Sequence, residues 1–224
     1  MQIRTDGLDF EEPEFEGRLE RLRGPSGAWR IDRDVQARAL GRLGLRPEHR
    51  LLEIGCGPLQ AGAPLIRFLE PGNYTGVDIS ADRLDAAREV VRRFKLEDRG
   101  PRLVLSEDFG LDQLDRGSFD RVWSFHVVIH FPESAVARFM QAVATLLKPD
   151  GIGWFSAWVT PERTEFNKRG SWLEFPVTEA GSDFFRSAAA AAGLDCNSLG
   201  TLDEWGLPSD RPAAKNWLFQ LSRK

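Results

Sequence analysis

The stretch Leu51-Leu52-Glu53-Ile54-Gly55-Cys56-Gly57 decides how this chain is read. Its apolar run, residues 50–54, has the length and composition of a buried strand. Two glycines at alternating positions follow. Their missing side chains let the backbone turn tightly and let a ligand lie against it. A helix is expected from there through about Leu69, entered at Pro58, a residue suited to a first helical turn. In an open parallel sheet, ligands gather beyond the carboxyl ends of the strands, and the first such end falls at Gly55.

Outward from this turn, strand-like and helix-like runs alternate. Strands are expected at residues 74–79, 102–105, 119–125 and 152–158, the last entered through the turn Pro149-Asp150-Gly151. Helices are expected at 29–43, 81–96, 133–147 and 178–192. Such alternation implies βαβ crossovers, hence a mostly parallel sheet with helices on both faces. Two further runs, 194–201 and 214–221, have no helix between them and suggest an antiparallel hairpin. The expected fold is therefore α/β and doubly wound, with a seven-stranded, mostly parallel sheet closed by an antiparallel C-terminal hairpin. Residues 1–44 read as an N-terminal helical or lid segment and 45–224 as the main domain. An aromatic, charged stretch at about 159–177 has no clear period and reads as an insertion.

Composition narrows the partners. The 224 residues include 34 acidic and 30 basic ones, a net charge of −4, which gives no overall field for nucleic acid or anionic membranes. No apolar run is long enough to span a bilayer, and the acidic start lacks the features of a signal peptide, so a cytoplasmic protein is expected. Two cysteines, Cys56 and Cys196, make neither a disulfide framework nor a zinc site by themselves. No acidic cluster with a metal-chelating signature stands out, and no metal is expected. Nothing in the sequence sets an oligomeric state.

The residues around the turn narrow the ligand. A dinucleotide fingerprint wants a third glycine at position 60, which is Gln60. Glu53 points to a cationic or amine-bearing group. Asp78, 21 residues after Gly57, can accept from both hydroxyls of a ribose; it can equally cap the helix that follows Ser80. Ser106-Glu107-Asp108-Phe109 ends the third strand, where a carboxylate and a ring can flank an adenine. Asp108 can alternatively cap the short segment after it.

At this point the chain resembles a known family. LLEIGCG (51–57), GVDIS (76–80), SEDF (106–109), FDRVWSFHVVIHF (119–131) and LLKPDG (146–151) are similar, in order, to the motifs of class I S-adenosylmethionine (SAM)-dependent methyltransferases. The resemblance implies SAM as cofactor. It matches Glu53, Gly55, Cys56 and Gly57 to the methionine end, Asp78 to the ribose hydroxyls and Ile79 to the adenine face. Asp108 matches the adenine-amino acceptor, with Phe109 beside it, and Ser124 with Phe125 the strand end beneath the sulfonium. The family's frequent third glycine is absent, since Gly62 follows only after Pro58-Leu59-Gln60-Ala61; the turn should differ in shape.

Three histidines are present, and His126 and His130 flank Val127-Val128-Ile129 just after the fourth strand. Methyl transfer from a sulfonium is a direct displacement that needs the acceptor's lone pair free of its proton. An imidazole is a natural proton acceptor near neutrality, so both are candidate general bases; either can instead brace the turn. Trp29, Phe166 and Trp172, with Phe10, Phe15 and Phe175, are candidates for aromatic walls around a small acceptor. Lys168-Arg169 could meet an acceptor carboxylate. Other readings are a protein or nucleic-acid methyltransferase, disfavoured by the missing Asn/Asp-Pro-Pro-aromatic motif after strand four, and a non-catalytic SAM-binding partner protein. A nicotinamide-dependent oxidoreductase is weakened by Gln60.

Overall fold

Strands β1 (Leu51–Ile54) and β2 (Tyr74–Asp78) are buried at every position, as the apolar runs of a sheet covered on both faces require. The computed structural model describes residues 2–23, 29–160, 165–167, 177–206 and 216–224. It packs as two compact units, Met1–Glu107 and Asp108–Lys224.

In the first unit, β1 and β2 pair in parallel, and β2 pairs in parallel with β3 (Arg102–Leu105). Before them come α1 (Pro13–Arg23) and α2 (Trp29–Arg42), and between the strands lie α3 (Gly62–Phe68) and α4 (Ala81–Arg93). Helix α1 is not among the helices expected from the sequence. Its signals are nonetheless present: Pro13 at the first helical position, Glu14 and Glu16 in the first turn, and the apolar pair Phe15 and Leu19 one turn apart. Both are buried, and Phe15 lies under the Arg93 guanidinium, 3.9 Å from its ring centre. Arg18 and Arg93 of the two helices both pair with Glu89, and Arg93 also with Glu12. Those pairs are partly exposed and contribute little each; the buried rings of Phe10, Phe15, Trp29 and Phe94 carry the packing.

Helix α3 starts at Gly62, not at Pro58 as the sequence suggested. Gly55, Gly57 and Leu59 all have positive φ, at 76°, 51° and 65°, and three left-handed residues at alternate positions cannot begin a helix. Leu59 thus stands within the turn itself, and its side chain is fully buried.

In the second unit, β4 (Phe119–Ser124) pairs in parallel with β5 (Leu147–Val159), and α5 (Glu133–Leu146) connects them. Strand β9 (Asn216–Arg223) runs antiparallel to β5 and to β8 (Leu194–Thr201), the expected C-terminal hairpin; positions 214 and 215 of that expected strand lie outside the described residues. A stack of Phe139, Phe155, Phe185 and Phe219 fills the interior between α5, α6 (Ser182–Ala191) and the sheet.

Two short strands go beyond what the sequence suggests. β7 (Val177–Ala180) pairs in parallel with Trp158 and Val159, and β6 (Glu165–Asn167) pairs antiparallel with β7. The cause is the length of β5. Pairing with β4 ends at Phe155, so the last residues of β5 expose backbone groups on that side; an unpaired edge is a ready template for another strand. Helix α6 accordingly begins at Ser182 instead of Thr178.

Two glycines of the first unit make room for one side chain. A Cβ on Gly62 would lie 2.5 Å from the Tyr74 hydroxyl and closer still to Leu59 Cδ2, and one on Gly76 would lie 3.1 Å from that hydroxyl. Gly62→Ala is expected to lower stability by about 1–3 kcal/mol, the usual result of overpacking a closed interior. Denaturant unfolding measures it, and a midpoint equal to wild type would refute the close packing around Tyr74.

Candidate functional site

The glycine turn after β1 is held from both sides. Val77 O accepts from the peptide N–H of Gly55 (2.8 Å) and of Cys56 (3.1 Å), while the Asp78 carboxylate takes the Gly57 N–H at 2.8 Å. The other Asp78 oxygen accepts from Ser80 N at 3.0 Å. One carboxylate therefore fixes the turns after β1 and β2 together. It keeps further acceptor capacity, since an ionised carboxylate offers about four lone-pair sites. Ser80 caps α4 by accepting from Arg83 N, so the helix-cap role offered to Asp78 belongs to Ser80.

A Cβ built on Gly57 would meet nothing within 4 Å. Its positive φ demands a glycine, and the space in front of it is open, which is the shape of a ligand cradle. Behind it Cys56 is buried with its sulfur packed beneath Gly76, and burial pushes its thiol well above the ordinary range. Cys56 thus shapes the turn from inside. Ile79, next to Asp78, is 53% exposed, an apolar side chain standing in the open where an adenine face is expected.

Glu53 lies under the turn, 5% exposed. Burial pushes its carboxyl up to about 8; the negative charge of Asp78 pushes the same way, and the hydrogen bond from Tyr74 opposes both. Tyr74 Oη donates to Glu53 Oε2 at 2.5 Å, and burial raises the phenol well above its usual value.

Two side chains tie the N-terminal helices to this cluster. Gln60, at the position where a dinucleotide site has glycine, donates from Nε2 to Trp29 O at 2.8 Å. Arg83 donates from Nε to Leu22 O at 2.8 Å, and its Nη1 is 3.9 Å from Asp78 Oδ1. Trp29 itself is buried, with its ring against Phe10.

The second unit holds the other candidates. Asp108 Oδ1 accepts from Gly110 N at 3.1 Å and so closes a local turn, and Phe109 packs on Phe131 at 5.4 Å with φ of 66°. At the end of β4, Ser124 is fully buried, and Phe125 stacks on Trp123 (5.4 Å) and meets the His126 ring at a tilt (4.2 Å). His126 has φ of 57° and donates its peptide N–H to Ser156 Oγ at 2.8 Å. Its Nε2 is 2.5 Å from the side-chain nitrogen of Asn216, the fully buried first residue of β9. The half-buried imidazole is thereby held by β9 and the His126 peptide by β5. His130 closes a 3-10 turn, Val128–His130, and is also half-buried. Phe166 lies in β6, opposite Thr178, with its side chain outside the described residues, as are Trp172, Phe175, Lys168 and Arg169. Among the described residues no group of three or more His, Cys, Asp or Glu could hold a metal ion, and no helix is long and apolar enough to cross a membrane.

Tyr74, Gln60, Arg83, Ser156 and Asn216 are not identifiable as site residues from the sequence. Only Gln60 carries a signal, as the wrong residue for a dinucleotide turn. Asn216 and Ser156 come from strands distant in sequence, and only strand register brings them to His126.

Residues 52–152 match the family model described as Methyltransferase domain. The chain is 34% identical over 110 residues to the methyltransferase GfsG of Streptomyces halstedii, covering 49% of this chain and 38% of that one. It is 27% identical over 195 residues to the 27-O-demethylrifamycin SV methyltransferase of Amycolatopsis mediterranei, covering 80% and 66%. The chain thus spans about half the length of the curated relatives it matches. Among solved structures it is similar to magnesium protoporphyrin IX methyltransferase of Synechocystis with bound SAM, at 17% identity and a TM-score of 0.61, covering 96% of this chain and 86% of that one. The fold is that of the class I methyltransferases: a mostly parallel sheet with antiparallel C-terminal strands and helices around it.

The state of Glu53 makes stability depend on pH. Between its ordinary value of 4.5 and about 8 the folded protein keeps a proton that the unfolded chain has lost. Stability from this group is therefore complete below pH 4.5, falls as pH rises, and is gone above about 8. In melting curves at pH 5, 6.5 and 8, Glu53→Gln should gain on wild type as pH rises. A constant gap between the two would contradict the raised value.

Proposed function

We propose that this chain, whose residues 52–152 match the methyltransferase-domain model, binds SAM and transfers its methyl group to a small-molecule acceptor. The observation that carries the reading is the Gly55–Gly57 turn, open in front of Gly57 and flanked by Glu53 and Asp78 on adjoining strands. These residues fit the cofactor. Asp78 has acceptor capacity beyond Gly57 and Ser80 for ribose hydroxyls, and Ile79 offers an apolar face for a base. Glu53 suits the amino group at the methionine end, and Asp108 and Phe109 are assigned to the adenine. SAM, when bound, supplies an electrophilic methyl group on a sulfonium.

The rest falls to the chain's own residues. His126 is assigned the acceptor's proton at Nδ1: its ring is half-buried, and with the Asn216 amide turned so that its otherwise unpartnered oxygen accepts from Nε2–H, Nδ1 is the nitrogen left with a lone pair. Proton transfer to a positioned group is worth about 10²–10⁴-fold in rate. Phe125 is assigned the wall beside it, and Trp29, Phe166 and Trp172 remain candidates for the acceptor pocket. The small acceptor is also supported by relatives named for acting on rifamycin and protoporphyrin compounds, and by a net charge of −4 that gives no overall field for nucleic acid.

Calorimetric titration with S-adenosylhomocysteine tests the cofactor reading. Wild type should bind, and Asp78→Ala should bind about 10–100-fold more weakly, the loss of hydrogen bonds to a charged group. Binding of NAD with none of S-adenosylhomocysteine would overturn it. With an acceptor found by screening phenols, alcohols and amines for SAM consumption, His126→Ala should lower kcat by about 10²-fold or more and remove the acid limb of the pH profile, whereas His130→Ala should do neither. Full turnover by His126→Ala with chemistry rate-limiting would leave positioning as the whole of the mechanism.

A further inference from the structure

Tyr74 is the chain's one tyrosine, and it lies in the interior with a hydroxyl that needs a partner. Its hydroxyl sits where Gly62 and Gly76 both lack a side chain, and a Cβ on either would come within 3.1 Å of it. Two glycines on different elements thus leave room for that oxygen, Gly62 together with Leu59 and Gly76 together with Cys56. That oxygen donates to Oε2 of Glu53. Among the described residues the other Glu53 oxygen has no hydrogen-bond partner.

Resting on the SAM reading above, we infer that Tyr74 is a positioning residue for cofactor capture. It holds Oε2 of Glu53 so that Oε1 meets the cofactor's α-ammonium, and capture is coupled to departure of a proton from the Glu53 carboxyl to solvent. The Glu53 O–H bond breaks, its electron pair stays on the carboxylate, and the proton goes to buffer. The ammonium then takes over as the compensating charge.

The surroundings support the coupling. The titratable groups that bear on Glu53 are Tyr74 and Asp78 of β2, with Cys56 in the turn beside them. None is cationic, and α3 presents Gly62 to this cluster. Burial and the Asp78 charge therefore favour a protonated Glu53 while no cation is near, and a hydrogen bond from Tyr74 favours the ionised form that an ammonium needs. Removing that hydrogen bond makes ionisation harder, so the pH at which the amino-acid end of a ligand is well held should rise.

Calorimetry with S-adenosylhomocysteine and with 5′-methylthioadenosine, which lacks the amino-acid moiety, tests this in buffers of different ionisation enthalpy from pH 6 to 9. Wild type should release close to one proton per S-adenosylhomocysteine at neutral pH and none with methylthioadenosine. Tyr74→Phe should weaken S-adenosylhomocysteine about tenfold at pH 7, move the rise of its affinity to higher pH, and leave methylthioadenosine within about twofold of wild type. Glu53→Gln, which keeps a partner for Tyr74, should abolish proton release. Equal weakening of both ligands by Tyr74→Phe would mean a structural role only and overturn the inference. So would wild-type binding of S-adenosylhomocysteine without proton release. If wild type bound neither nucleoside, the cofactor reading would fall and this inference with it.

Discussion

The Asp78 carboxylate holds two backbone N–H groups at once, Gly57 on one oxygen and Ser80 on the other. Everything proposed for the first unit depends on that double grip. The turn after β1 contains three left-handed residues and would adopt many shapes by itself. Strand pairing brings β1 and β2 together in register, Ile54 beside Val77, and so sets the distance across which the carboxylate reaches. The acid that faces the open space is therefore also the brace of the surface on which a ligand would rest, and neither role can be altered without the other.

Much of this is legible in the sequence. Strands β1, β2, β4 and β5 announce themselves as apolar runs because buried parallel strands must be largely apolar, and the C-terminal hairpin does so through two strand-like runs with no helix between them. The turn announces itself through glycines that no other residue type replaces cheaply. The fainter elements have physical causes as well. Among its described side chains helix α1 buries only Phe15 and Leu19 and is mostly charged elsewhere, so its period is weak. Strands β6 and β7 form because β5 outruns its partner, a fact of register and not of local composition.

The same division applies to the candidate site. Glu53, Gly57 and Asp78 are visible because their spacing along the chain mirrors their adjacency in the sheet. Their supporting residues are invisible for the opposite reason. Tyr74 looks like an ordinary strand aromatic until Gly62 and Gly76 are seen to leave room for its hydroxyl. Asn216 and Ser156 look like plain polar residues until β9 and β5 bring them to the imidazole and peptide N–H of His126.

Phe109 carries a consequence for the second unit. A bulky ring on a left-handed residue costs about a kcal/mol or more, and glycine would make such a turn without that cost. The ring is retained against Phe131 and Phe139, which themselves meet the phenylalanine stack of the interior. The loop holding Asp108 is in this sense moored from below: its backbone is bent against its own preference by an anchor sunk among aromatic rings. A loosened interior would accordingly announce itself first as a drifting carboxylate on the surface, before any helix or strand gave way.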